Sequence, residues 1–293
     1  MTARIALRSG AVLRLGGRPL VMAIVNCTPD SFYAASRSPS VEEAVERALR
    51  AEAAGADLVD LGAESTRPGA AYVPEAEERR RLIPVIKALR KASRIPLSVD
   101  TRRAAAAKEA LDAGADIIND ISGLEDDPAL GPLCAERGAP VILMHKRGDP
   151  LSMQETLAPY PNGVVEDVRA ALERAAERAL EAGLPRPRVI LDPGIGFGKS
   201  VEDNLRLIAA LPALRSLGCP VLVGLSRKSF LGAITGRGIE ERLAASAAAA
   251  AAAALLGADI LRVHDVPETV DALKTACAIR GYIRIGIGGG GSF

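Results

Sequence analysis

The chain has 293 residues, 48% hydrophobic and 25% charged, a balance that allows a large buried core and excludes a disordered chain. A net charge of +1 without a basic stripe argues against a nucleic-acid partner. Four widely spaced cysteines (Cys27, Cys134, Cys219, Cys277) argue against a disulfide framework or a cysteine zinc site and fit a reducing cytoplasm.

From the N-terminus, an arginine-bearing, acid-free stretch superficially resembles a transit peptide, but its apolar alternation around Ser9-Gly10 and Gly16-Gly17 predicts a β-hairpin over 1–18. Eight short apolar runs follow, each ending abruptly in polar, glycine or charged residues. The first four are MAIVN-CTPDSF (Met22 to Phe32), LVDLG-AESTRPG (Leu58 to Gly69), LSVD-TRR (Leu97 to Arg103) and IIND-ISG (Ile117 to Gly123). The others are VILMH-KRGD (Val141 to Asp149), VILD-PGIGFGKS (Val189 to Ser200), VLVG-LSRKS (Val221 to Ser229) and ILRV-HDV (Ile260 to Val266). Branched runs of this length suit strands buried on both faces, as in a parallel sheet. Between them, amphipathic segments predict helices over 41–54, 74–91, 104–113, 128–137, 164–182, 201–211, 240–256 and 267–279. Three helix ends repeat almost verbatim at Ala54-Gly55-Ala56-Asp57, Ala113-Gly114-Ala115-Asp116 and Leu256-Gly257-Ala258-Asp259, with glycine as the left-handed cap.

Eight strand–helix units without a candidate edge strand predict a single (β/α)8 TIM barrel over 1–293 with an N-terminal β-hairpin, an open doubly wound sheet being the runner-up. The GGGGSF end predicts a frayed tail over 287–293. The alanine-rich stretch Ala244 to Leu256 is too short to span a bilayer, so no membrane association is expected.

Some motifs fail on inspection. Asp192-Pro193-Gly194-Ile195-Gly196-Phe197-Gly198-Lys199-Ser200 has proline where a phosphate loop needs glycine and lysine where a dinucleotide fingerprint needs its third glycine. Gly224-Leu225-Ser226-Arg227-Lys228 ends in lysine rather than the glycine of a nucleophile elbow.

The strand ends carry the chemistry instead. Strands three, four and six supply Asp100, Asn119 and Asp192; strands seven and eight supply Arg227, Lys228 and Arg262, with His264 just beyond. A carboxylate and an amide inside an apolar barrel suit a flat heterocycle with adjacent N–H donors, Asp192 accepting and Asn119 reading the neighbouring edge. Lys228 is placed to donate to the ring, and Arg262 to stack on it or bind phosphate. Asn26, Thr28 and Asp30 offer hard oxygens of the kind Mg²⁺ accepts alongside phosphate. Each residue alone has a bland reading: Asp100-Thr101 as a helix cap, an Asp–Arg pair as a salt bridge, Cys27 as a small filler.

Together these residues resemble the dihydropteroate synthase family of pterin-binding TIM barrels. The resemblance rests on Asn26-x-Thr28-Pro29-Asp30-Ser31-Phe32, Glu64-Ser65-Thr66-Arg67-Pro68-Gly69, Val99-Asp100-Thr101 and Asn119-Asp120-Ile121. It continues through Asp192-Pro193-Gly194-x-Gly196-Phe197-Gly198-Lys199, Ser226-Arg227-Lys228-Ser229 and Arg262-Val263-His264-Asp265, in the family's order. It implies transfer of the 7,8-dihydropterin-6-ylmethyl group from 6-hydroxymethyl-7,8-dihydropterin pyrophosphate to 4-aminobenzoate, releasing pyrophosphate, with Mg²⁺, in a cytoplasmic homodimer. It assigns Asp100, Asn119, Met144, Asp192, Gly196, Lys228 and Arg262 to the pterin, with Asp100, Lys228 and Arg262 also catalytic. Thr66, Arg67, Pro68, Phe197 and Ser226 would border 4-aminobenzoate. Asn26 would ligate the metal and hold the pyrophosphate with Arg262 and His264. Two departures stand out: Tyr33 to Ser36 replaces an Asp-Gly-Gly-like stretch, and Lys146-Arg147 is unusually basic. A pterin-dependent methyltransferase and a non-catalytic pterin-binding paralogue remain open alternatives.

Overall fold

The structure is a computed structural model that describes residues 4–27, 41–64, 73–148, 157 and 159–288. Two short strands, β1 (Arg4–Ala6) and β2 (Val12–Arg14), pair antiparallel about the turn at Gly10, which gives the predicted hairpin. The eight apolar runs then form β3 (Leu20–Asn26), β4 (Leu58–Gly62), β5 (Leu97–Asp100), β6 (Ile117–Asp120), β7 (Val141–Met144), β8 (Val189–Asp192), β9 (Leu222–Gly224) and β10 (Ile260–Val263). All are parallel, in the order β8-β7-β6-β5-β4-β3-β10-β9. The ends of that order meet: Leu191 of β8 bridges Val221, and its N–H donates to the Pro220 carbonyl at 2.9 Å. The sheet therefore closes as a barrel.

Around it lie α1 (Val41–Ala53), α2 (Glu75–Ala92), α3 (Ala104–Ala113), α4 (Leu130–Arg137), α5 (Val164–Glu181), α6 (Val201–Ala209), α7 (Leu211–Arg215), α8 (Ser229–Thr235), α9 (Leu243–Leu255) and α10 (Val266–Gly288). The helix expected over 201–211 ends at Ala209, and a new turn starts with Pro212 near its beginning, a position where the missing N–H costs nothing. α8 went unpredicted because seven residues are too few to show a 3.6-residue period. α10 runs nine residues beyond Ile279, through the first two positions of the expected tail. No helix among the described residues is long and apolar enough to cross a membrane.

Strand alternation divides the core. Val21, Ala23, Val59, Leu61, Val99, Ile118 and Val141 point outward and are covered by the helices. Met22, Leu58, Ile117, Ile142, Ile190, Leu222 and Ile260 point inward, and the hairpin residues Ile5, Leu7, Leu13 and Leu15 seal this layer.

The repeated Gly-Ala-Asp corners have one mechanical role. Gly55, Gly114 and Gly257 take φ of +96°, +116° and +99°, ending their helices. The aspartate two residues on then accepts an N–H at the start of a neighbouring strand: Asp57 from Val21 at 2.8 Å, Asp116 from Leu97 at 3.0 Å, Asp259 from Val221 at 3.0 Å. Each is matched by an arginine, Arg18, Arg90 or Arg215 respectively.

Candidate active site

Two residues above the apolar layer, the barrel interior changes character. Leu58 gives way to Asp60, Ile117 to Asn119, Ile190 to Asp192 and Ile260 to Arg262, while Ile142 gives way to Met144 and Leu222 to Gly224. The register sets Asn26 beside Gly62, Gly62 beside Asp100 and Asp100 beside Asn119. On the other side Met144 pairs with Asp192 and Gly224 with Arg262. One ring of polar groups thus sits on an apolar floor.

Within the ring, Arg262 lies between two carboxylates, donating from Nε to Asp60 at 2.7 Å and from Nη2 to Asp100 at 3.1 Å. Asn119 donates from Nδ2 to the same Asp60 oxygen at 3.1 Å. Asp60 was missed by the sequence reading, which took polar residues only at strand ends; it lies mid-strand in β4, betrayed only by sharing parity with Leu58 and Gly62. Burial pushes the Asp100 carboxyl up to about 8 against the pull of Arg262, with Asp60 adding to the rise. Burial opposes the Arg262 charge, but Asp60 and Asp100 outweigh it and raise its pKa. Asp100 does not cap α3; Asp127 accepts the Ala104 N–H at 2.7 Å instead.

Across the ring, Asp192 is buried and its Oδ1 accepts the Gly194 N–H at 2.7 Å; burial raises its pKa, opposed by that bond and by Lys228. Burial lowers Lys228 to about 8, opposed by Asp192. The Lys228 ammonium stands 4.2 Å over the Phe197 ring. Phe197, Met144 and Ile121 form a small apolar cluster. Gly196, at φ +84°, gives Lys228 its room: a Cβ there would lie 3.1 Å from Lys228 Cδ. The loop carrying these residues is organised by Lys199, buried, donating to the carbonyls of Gly194 at 2.8 Å and Phe197 at 3.0 Å. Its Nζ lies 3.0 Å from His145 Nδ1, and burial followed by Lys199 pushes the imidazole down to about 3. The lysine of the rejected phosphate-loop motif is therefore an internal strut.

At the rim, Ser226 is buried and its hydroxyl meets the backbone N–H of His264 at 3.2 Å and its Nδ1 at 3.1 Å, so His264 is tied to the loop after β9. Asn26 ends β3 half-buried, and its Oδ1 would lie 3.9 Å from a Cβ at Gly62, as would Asp100 Oδ2. Arg227, grouped from sequence with the rim cations, instead pairs with Asp265 at 2.6 Å and Glu240 at 3.1 Å. The basic Lys146-Arg147 pair is spent locally, Lys146 on Asp126 at 3.4 Å and Arg147 over the Tyr160 ring at 4.6 Å. Cys27 is a buried filler whose thiol burial pushes up to about 12. Thr66, Arg67, Pro68 and the stretch from Thr28 to Ser36 lie outside the described residues.

Comparison with known proteins decides the family. The model of the pterin binding enzyme family matches residues 22–264. A dihydropteroate synthase of Synechocystis sp. is 43% identical over 90% of this chain and 91% of its own length. The chain belongs to the dihydropteroate synthase family. Among solved structures, the dihydropteroate synthase of Xanthomonas albilineans with 4-aminobenzoic acid superposes with a TM-score of 0.88 at 46% identity, covering 96% of this chain and 99% of that one. A probable bifunctional folylpolyglutamate synthase/dihydropteroate synthase of Haloferax volcanii is 48% identical over 89% of this chain, which spans 30% of that longer protein. The ring of Asp100, Asn119, Asp192, Lys228 and Arg262 is what the resemblance to dihydropteroate synthases implies for the pterin side. The structure brings all five to one layer.

Proposed function

We infer that the chain catalyses dihydropteroate synthesis, transferring the 7,8-dihydropterin-6-ylmethyl group from 6-hydroxymethyl-7,8-dihydropterin pyrophosphate to 4-aminobenzoate and releasing pyrophosphate. The observation that carries this is the polar ring on its apolar floor. Asp192 and Asn119 present acceptors to the edge of a flat heterocycle whose N–H groups need partners, and Lys228 supplies a donor opposite them. Met144 and Gly196 border the same space.

The reaction breaks the methylene–oxygen bond, with the electron pair leaving on pyrophosphate. The positive charge left behind spreads over the dihydropterin ring, where the ionised form of Asp100 stabilises it. A cationic ring beside Asp100 works in the same direction as Arg262, drawing the carboxyl back toward its anion. The amine of 4-aminobenzoate then forms the C–N bond and loses a proton. Arg262, His264 and Asn26 would hold the departing pyrophosphate, and Thr66, Arg67, Pro68, Phe197 and Ser226 would border the arylamine.

Mg²⁺ fits this reading. No group of three or more His, Cys, Asp or Glu among the described residues is placed to hold a metal, whereas the Asn26 side-chain oxygen stands at the rim next to Gly62 and Asp100. One hard protein oxygen plus phosphate oxygens is a coordination Mg²⁺ accepts, and the ion would neutralise charge on the leaving group.

The whole chain is read as one barrel domain working in the cytoplasm as a homodimer. Leu255, Ile279 and Tyr282 are exposed, and Arg280 between the last two donates to the Ala254 carbonyl, so these apolar residues adjoin where α9 and α10 meet. That face is the dimer surface in this reading, and light scattering of the purified chain should return twice its 30.5 kDa. The activity is tested with dihydropterin pyrophosphate, 4-aminobenzoate and Mg²⁺ by measuring pyrophosphate release. Release is expected, and Asp192→Ala should abolish pterin pyrophosphate binding. Binding without release would convert the reading to a non-catalytic paralogue, and methyl transfer from a methylated pterin to a pterin methyltransferase.

A further inference from the structure

Asp60 has no part in the chemistry above, yet it is fully buried in the middle of β4 and joins two groups that do. Its Oδ2 accepts both the Arg262 Nε–H at 2.7 Å and the Asn119 Nδ2–H at 3.1 Å. Its Oδ1 is buried without a hydrogen-bond partner, as is the hydroxyl of Ser98, its register neighbour on β5. A half-bonded carboxylate in a barrel core is destabilising, and an apolar residue there would simply extend the floor. What the carboxylate provides is orientation.

An amide has one donor side and one acceptor side, whereas a carboxylate oxygen only accepts. Asp60 therefore takes the Nδ2 side of Asn119 and turns Oδ1 away from itself. The same oxygen fixes Arg262 through Nε, and Asp100 fixes it through Nη2, so the plane of the guanidinium is set at two points. We propose that Asp60 is a specificity-determining positioning residue: it compels Asn119 to offer the pterin an acceptor rather than a donor, and it holds Arg262 in plane. This inference rests on the pterin-binding reading above.

Asp60→Leu extends the apolar floor and removes the shared acceptor, so Asn119 is free to turn and Arg262 keeps only its bond to Asp100. The dissociation constant for dihydropterin pyrophosphate, measured by titration calorimetry below the melting transition of each protein, should rise about 30-fold, the loss of roughly one charge-assisted hydrogen bond. Asp60→Asn is the conservative rescue: an amide oxygen at the Oδ2 position still accepts from Asn119 Nδ2 and Arg262 Nε, and its NH₂ takes the side of the unpartnered Oδ1. It should bind within about fivefold of the wild type. Binding within threefold of wild type in Asp60→Leu, or an Asp60→Asn variant as weak as Asp60→Leu, would overturn the proposal. A wild-type chain that fails to bind the pterin defeats the functional reading instead.

Discussion

Gly196→Ala tests whether the loop after β8 shapes the space around Lys228. Two effects add at this position. The backbone φ of +84° lies in the left-handed region, which costs an L-residue about 1–2 kcal/mol. The new Cβ would also sit 3.1 Å from Lys228 Cδ and 3.6 Å from Nζ. Lys228 is flexible in principle, but it is packed over Phe197, and in the proposed function its ammonium donates to the pterin. The variant should lose about 1–2 kcal/mol of stability from the backbone, and in addition bind dihydropterin pyrophosphate about tenfold more weakly, one hydrogen bond's worth. Gly236→Ala provides the control, since Gly236 has φ +70° but nothing within 4 Å of its would-be Cβ. It should show the same stability loss with unchanged pterin affinity. Calorimetric titration and thermal melting of both variants separate the two effects. Pterin affinity in Gly196→Ala within twofold of the wild type would refute the claim that this glycine makes room for Lys228.

Asp116→Ala should be much more damaging than Asp57→Ala, although both aspartates occupy the same corner of the repeat. Asp116 is buried with Arg90, so its removal strands a guanidinium and the Leu97 N–H and should cost about 3–5 kcal/mol. Asp57 and Arg18 are partly exposed, and about 1–2 kcal/mol is expected there by urea denaturation. His145 should make the fold acid-sensitive. Its folded pKa of about 3 lies below the ordinary imidazole value of 6.5, so the unfolded chain takes up a proton first and stability falls as pH drops from about 6.5 toward 3. His145→Asn should remove about 2–3 kcal/mol of the stability difference between pH 6.5 and 4.5. Equal acid sensitivity in the two proteins would show that the imidazole is protonated in the folded state.

Much of this protein was decided locally. The eight apolar runs became the eight parallel strands, because a run buried on both faces needs only branched side chains and a stop signal. The Gly-Ala-Asp corners were legible as helix ends, since a left-handed cap is a property of one residue. That Asp100, Asn119, Asp192, Lys228 and Arg262 would gather at one end of the barrel was legible, because polar groups at the strand ends of a parallel barrel have one place to go.

What lay beyond the sequence depended on which strands are neighbours and on how side chains from distant segments meet. Arg227 and Lys228 are adjacent in the chain, yet one turns to Asp265 and the other stays in the ring. Asp60 is separated from Asn119 by 59 positions and from Arg262 by 202, so no local pattern announces that one oxygen serves both. The third repeat of a helix-capping motif also gave no hint that its aspartates fasten strands. Composition and periodicity determined that there would be a barrel with a polar rim. Closure and register decided which carboxylate faces which cation, because those contacts exist only once strands remote in sequence lie side by side.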